Sequence, residues 1–305
     1  MNILITGGAG YVGAPLTAEL LERGHSVTIL DNFMYGTESI LHLASNPRLS
    51  VMATDVRTVD AAALRPFDAV LHLAGLSGFP ACQANPHAAQ SINVDASRRL
   101  AEVLSPQQVL VYASTTSIYG AAGDVCDETA HVAPVSGYGR TKLEGERAVL
   151  AHPNAIALRF ATVFGNSSRM RIDLLVNDFT HRAMYDRVIT IYDGKSKRTF
   201  MHIQDTLQAY VFALENSAAM AGQVFNVGSN SLNLSKDEIA AEIQRVTGCS
   251  VLQSELPDPD RRDFSISFDK IHGLGYRTKH SLSAGVAEMA RLFSFHRPFA
   301  TFRPI

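Results

Sequence analysis

The stretch Thr6-Gly7-Gly8-Ala9-Gly10-Tyr11-Val12-Gly13 constrains this chain more than any other. It follows at once on the apolar run NILIT (2–6) and leads into a segment with helical spacing at 11–23. Glycines at 7, 10 and 13 permit a tight strand-to-helix turn and let a ligand approach the backbone closely. The helix N-terminus behind such a turn suits a pyrophosphate. The next apolar run, SVTILD (26–31), ends in Asp31, 18 residues beyond Gly13, where a carboxylate binds the ribose hydroxyls of an adenosine. Asn32 and Phe33 follow, with no neighbouring arginine to accept a 2′-phosphate, so the pattern predicts NAD rather than NADP.

Strand-like and helix-like segments then alternate. LSVMAT (49–54), DAVLHLA (68–74), QVLVYA (108–113) and AIALRF (155–160) read as short buried strands, with helices expected at 86–104 and 138–151. That order predicts an α/β chain built on a Rossmann-type, doubly wound parallel sheet with right-handed crossovers. After residue 165 the order loosens. A helix near 172–185, strands at 188–192 and 198–203, a helix at 205–216, VFNVG (224–228) and helices at 235–247 and 282–293 suggest a smaller α/β substrate-binding domain. The expected division is 1–165 plus 203–228 for NAD, and 166–202 plus 229–305 for the substrate.

Composition narrows the function classes. A net charge of −2 over 305 residues offers no global field for nucleic acid or an anionic membrane, so an anionic ligand must be caught by local groups. No apolar run approaches the roughly 20 residues a bilayer needs. Cys82, Cys126 and Cys249 form no CxxC pair, which argues against a zinc site or disulfide framework, and no metal is expected. Met1 is followed almost at once by the first strand, leaving no room for a signal peptide, and a cytoplasmic location is expected.

Two further motifs carry chemistry. ASTTSIYG (113–120) sets the hydroxyls Ser114, Thr115, Thr116 and Ser117 at the end of the fifth strand, on the ligand-binding edge of an open α/β sheet. YGRTK then places Tyr138 and Lys142 four apart at a helix start, on one face. An ammonium beside a phenol lowers the phenol's pKa, so Lys142 is expected to make Tyr138 a usable acid/base near neutrality. Asp55 has two readings, a contact at the adenine edge or a turn-forming residue. His72 reads as a satisfied core histidine.

With these motifs in order, the chain resembles the extended short-chain dehydrogenase/reductase family, specifically its NAD-dependent nucleotide-sugar epimerases, dehydratases and oxidoreductases. The likeness runs through TGGAGYVG, DN, HLAG, INV, ASTTSIYG, YGRTK, LRFATVFG, RTFMHIQD and FNVGS. It implies that Thr115 hydrogen-bonds the reacting sugar oxygen, that Tyr138 moves its proton and that Lys142 holds the nicotinamide ribose. It implies NAD contacts at Gly7, Gly10, Tyr11, Val12, Gly13, Asp31, Asn32, Asp55, Val56, Leu73, Ala74, Asn93, Tyr138 and Lys142. It implies a nucleotide-diphosphate sugar at Thr115, Thr116, Tyr138, Thr162, Arg169, Arg171, Asn177, Arg198 and Arg262, with Arg198 and Arg262 on the diphosphate, where the guanidinium fork suits the oxygens. Thr162 stands where the family usually has asparagine. Ser114 and Ser117 are expected to satisfy loop backbone groups. A homodimer is also implied.

The family's 4,6-dehydratases carry an acid directly after the catalytic threonine. Thr116 and Ser117 stand there, and neither is a general acid or base near neutrality. The expected chemistry is therefore oxidation, reduction or epimerisation at C4. The stretches LRFATVFGNSSRMRIDLLVNDFTHRA (158–183) and DPDRRD (258–263) look closest to bacterial C4 oxidoreductases and epimerases of GDP-manno-heptose-type sugars. Two other readings stand beside this one: a 3β-hydroxysteroid-type dehydrogenase, and a non-enzymatic NAD(P) sensor on the same fold. Neither accounts for the Arg198/Arg262 pair together with an intact Tyr138/Lys142 pair.

Overall fold

The structure, a computed structural model, describes residues 1–121, 125–256 and 263–297. Its strands in chain order are β1 (Asn2–Thr6), β2 (Ser26–Asp31), β3 (Leu49–Ala53), β4 (Ala69–His72), β5 (Val109–Thr115), β6 (Val125–Cys126) and β7 (Ala155–Phe160). They are followed by β8 (Thr162–Phe164), β9 (Val188–Tyr192), β10 (Lys197–His202), β11 (Gln223–Val227), β12 (Asn233–Ser235), β13 (Ser250–Ser254) and β14 (Ser265–Ile266). Seven of them form the main sheet in the order β3-β2-β1-β4-β5-β7-β11, every pair parallel. The order reverses between β1 and β4, and at such a switch point helices leave opposite faces of the sheet and open a crevice at its carboxyl edge. This is the doubly wound sheet read from the sequence.

Strands β1, β4, β5 and β7 are buried throughout or nearly so, as expected for strands covered on both faces. One apolar core joins Ile3, Leu71, Val111, Leu158 and Phe225 to the helices Gly13–Glu22 and Ile203–Glu215. The other face packs Leu4, Val70, Leu110 and Tyr112 against Leu100 and Leu104. A separate core, including Met170, Val176, Ile189, Phe200, Ile239, Ile243, Val286 and Met289, fills the second part of the molecule. There the three-stranded sheet β12-β10-β8 and the pair β13-β9 meet the helices Leu175–Tyr185, Lys236–Thr247 and Leu282–Phe295.

Two elements depart from expectation. The helix expected over 86–104 is split, with helix at Pro86–Gln90 and Ala96–Val103 and a wider π-helical stretch at Ser91–Asp95 between them. Such stretches appear where a side chain has a task outside the helix, and Asn93 lies inside this one. Second, the chain beyond residue 229 does not all join the second core. Phe264, Ile266, Phe268, Ile271 and Tyr276 pack into the core of the main sheet, because their apolar spacing gives β14 and the following helix, Asp269–Gly273, a face to bury there.

Candidate active site

A cavity of about 780 Å³ runs along the carboxyl edge of the sheet. The glycine turn, the loop after β4, the end of β5 and the end of β7 form one wall. The opposite wall comes from residues of 169–200 and from Lys236.

The half over β1–β3 gathers nearly all the residues expected at the cofactor. Gly7, Gly10, Tyr11, Val12, Gly13, Asp31, Asn32, Asp55, Val56, Leu73 and Ala74 all line it. Gly7 has φ +72°, and a Cβ there would stand 2.8 Å from the Ala74 nitrogen. A Cβ on Gly13 would collide with the Gly7 carbonyl oxygen. The turn is thus closed to side chains and leaves its backbone facing the cavity. Asp31 is oriented by two backbone donors, Ala9 N–H at 3.0 Å and Phe33 N–H at 2.9 Å. A closed glycine cradle with an aimed carboxylate one strand away fits the pyrophosphate and adenosine ribose of NAD.

Asp55 keeps both of its readings. It lines the cavity, yet it accepts Arg57 N–H and Nε–H at Oδ1, both at 2.9 Å, and Nη2–H at Oδ2 at 2.8 Å. The Arg57 hydrogen bonds hold its pKa down to about 2 against partial burial. Asn93 is corrected. It is 1% exposed and does not line the cavity; its amide is spent on Leu76 N–H (2.8 Å), Leu76 C=O (3.0 Å) and Thr141 Oγ1 (3.1 Å). It braces the loop after β4. His72 is the core histidine expected, between Thr6 and Ser97, with its pKa brought down to about 3 by burial.

Thr115, Tyr138 and Lys142 meet where the two halves of the cavity join. Ser136 caps the helix Gly137–Val149 by accepting Gly139 N–H at 3.0 Å, which aims Tyr138 and Lys142 inward from its first turns. The Ser77 and Thr115 hydroxyls lie close enough to the Tyr138 phenol to favour its ionised form. Burial raises the Tyr138 pKa, and Ser77, Arg171 and Thr115 oppose it. The Lys142 ammonium lies 4.0 Å from the centroid of the Tyr112 ring, and burial brings its own pKa down to about 7.

The hydroxyl row divides its work. Thr115 accepts Ser117 N–H at 3.2 Å and remains on the cavity wall. Thr116 is corrected: it is 2% exposed, donates to Phe160 C=O at 3.2 Å and does not line the cavity. Ser114 serves no backbone group but donates to Glu146 Oε2 at 2.5 Å. Glu146 is clamped by Arg159 Nη2 at 2.7 Å and Nε at 3.0 Å, and Arg159 Nη1 donates to the Tyr119 hydroxyl at 2.8 Å. This buried ion pair ties β5, β7 and the Tyr138/Lys142 helix together directly behind the reacting end.

On the substrate side Thr162, Arg169, Arg171 and Arg198 line the cavity. Arg171 is largely committed, with Nε and Nη2 on the Asp173 carboxylate at 3.0 and 2.5 Å and Nη1 on Ser77 Oγ at 3.1 Å. Asn177 is corrected. It is fully buried away from the cavity, accepts Gly165 N–H at 3.1 Å and donates to the Tyr11 hydroxyl at 3.2 Å and to Arg171 C=O at 2.8 Å. Tyr11 in turn donates to Gly165 C=O at 2.8 Å, so this pair pins the glycine turn to the second half. Arg262 lies outside the described residues. Sequence reasoning missed Ser77, Tyr35, Tyr192, Phe200 and Lys236, which also line the cavity. Only Ser77 carried a local signal, three residues beyond Ala74 at the end of a central strand.

This chain belongs to the NAD dependent epimerase/dehydratase family, whose sequence model matches residues 3–228. It is an NAD-dependent enzyme of the extended short-chain dehydrogenase/reductase group. Among its relatives, the UDP-glucose 4-epimerase of Corynebacterium glutamicum is 32% identical over 271 residues, 81% of each chain. An uncharacterized UDP-glucose epimerase of Bacillus subtilis is 31% identical over 247 residues, 75% of this chain and 77% of the relative. The crystal structure of UDP-glucuronic acid 4-epimerase from Bacillus cereus with UDP-glucuronic acid and NAD superposes with a TM-score of 0.88 at 26% identity, covering 96% of this chain and 99% of that one. Among the described residues no helix is long and apolar enough to cross a membrane.

Proposed function

We propose that the protein reversibly oxidises C4 of a nucleotide-diphosphate sugar and acts as a 4-epimerase, with Thr115, Tyr138 and Lys142 as its catalytic set. The observation that carries this reading is the junction itself. A phenol, two hydroxyls and an ammonium line the cavity between a glycine cradle and an arginine-bearing wall, and no carboxylate stands at the two positions directly after Thr115. The 4-epimerases among the relatives support C4, and their UDP-sugars make UDP the first nucleotide to try.

Bound NAD supplies the hydride acceptor and donor. Thr115 and Tyr138 hold the C4 hydroxyl between them. As the C4–H bond breaks and the carbonyl forms, the hydroxyl proton passes to the Tyr138 oxygen; on return to the opposite face of C4, Tyr138 gives the proton back. Oxidation therefore needs the phenolate, which Ser77, Arg171 and Thr115 favour against burial. Lys142 holds a nicotinamide ribose. Arg198, 7% exposed on β10, takes the substrate diphosphate with Arg262.

The test is to incubate the protein and NAD with UDP-, GDP-, dTDP- and ADP-hexoses and resolve the products by NMR and mass. The expected result is a C4 epimer of unchanged mass from one nucleotide series. A product lighter by one water would contradict the argument from Thr116 and Ser117, and no turnover of any of them would remove the reading.

A further inference from the structure

Arg169 stands apart from the other cationic side chains of the cavity. It is 5% exposed, and its Nε and Nη2 have no hydrogen-bond partner among the described residues. Burying guanidinium donors without partners is costly, and native structures rarely keep them so without a ligand to meet. Arg171 spends its fork on Asp173, but Arg169 has no such carboxylate among the described residues. Its guanidinium instead lies over the Tyr35 ring, with Cζ 4.1 Å from the centroid. Tyr35 belongs to the loop after β2, four residues beyond Asp31, and it too lines the cavity.

The backbone fixes where this guanidinium emerges. Ser167 Oγ donates to Tyr11 C=O at 2.7 Å and accepts Arg169 N–H at 3.2 Å. The segment carrying Arg169 is therefore seated on the glycine turn. Asp31 is close enough to act on the Arg169 charge. So a cation from the second half of the chain reaches the cofactor half, where the local sequence around Asp31 shows none.

From this geometry we infer that Arg169 belongs to the cofactor and not to the substrate: its free donors close on the NAD pyrophosphate from the face opposite the glycine turn, with Tyr35 as the platform that holds them. This rests on the reading of the cavity as an NAD and nucleotide-sugar site. It adds that the cofactor is held by both parts of the chain, which suits a cofactor that stays bound while hydride leaves and returns.

The test is titration of NAD, NADP and UDP by calorimetry against wild type, Arg169→Met and Arg169→Lys. Methionine keeps the packing on Tyr35, and since the lost donors had no protein partner, no orphan is left behind; unchanged thermal melting without ligand checks this. A charge-assisted contact of this kind makes NAD binding weaken on the order of 10–100-fold in Arg169→Met, with partial recovery in Arg169→Lys. UDP binding to NAD-loaded protein stays as in wild type. Unchanged NAD affinity with weakened UDP binding would overturn the inference and return Arg169 to the substrate. Selective loss of NADP binding would overturn it in favour of a 2′-phosphate contact. If wild type bound no NAD, the reading of the cavity would fail instead, before the variants were compared.

Discussion

The two walls of the cavity are built differently. On the cofactor side, the residues that line it come in short contiguous runs at strand ends: Gly7–Gly13, Asp31–Asn32, Asp55–Val56 and Leu73–Ala74. Each is placed by one strand-to-helix turn of a parallel sheet. On the substrate side, Thr162, Arg171, Arg198 and Lys236 come from separate elements, and Arg171 is engaged by Asp173. The first wall is written in local backbone geometry. The second depends on which partners the tertiary fold gives each charge.

The largest effect expected falls at the seam between the walls. Tyr138→Phe keeps the ring and the packing but removes the proton carrier, and should slow turnover about 10²–10⁴-fold with NAD affinity unchanged. Loss of NAD binding in that variant would show that the seam belongs to the cofactor wall alone. Glu146→Ala probes the support behind the seam. It leaves Arg159 as an uncompensated buried charge, so chemical denaturation should show a loss of about 3–5 kcal/mol. A loss below about 1 kcal/mol would mean the pair does not tie β5 and β7 together.

Smaller effects separate the walls more finely. Thr115→Val should cost about 10–100-fold in turnover, and its effect should not multiply with that of Tyr138→Phe, since both act on one oxygen. Arg198→Ala should raise KM for the nucleotide sugar about 10-fold or more while leaving NAD affinity alone; equal weakening of both ligands would erase the division between walls. The pH dependence is subtler. Burial raises the Tyr138 pKa, so the oxidation half-reaction should accelerate as pH rises and the phenolate forms. Arg171 acts to lower that pKa, so in Arg171→Met the rise should begin at higher pH. Stopped-flow reduction of bound NAD across pH 6–9 reads both; a pH-independent rate would show that Tyr138 does not carry the proton.

The same contrast explains what the sequence revealed. The sheet, its parallel order and the place of the glycine turn and Asp31 on the cavity were legible because spacing alone dictates them. The partners of Asn93, Thr116 and Asn177 were not legible, because a buried amide or hydroxyl goes to whichever backbone group needs it. Leu76, Phe160 and Gly165 lie 17, 44 and 12 residues away along the chain. Where the Lys142 side chain ends was not legible for a related reason: sharing a helix face does not fix the end of a long side chain, and this one ends over Tyr112. Arg169 was seen as a cation, but its stack on Tyr35, 134 positions away, was not visible in any motif.

The most direct test of the central claim uses a nucleotide sugar carrying deuterium at C4, mixed with NAD-loaded protein and quenched within a single turnover. The account predicts that wild type moves the label from C4 to the nicotinamide and back to C4 of the epimer, and that Tyr138→Phe does so at least about 100-fold more slowly. Label that never leaves C4 during turnover, or a Tyr138→Phe protein that moves it at the wild-type rate, would contradict it.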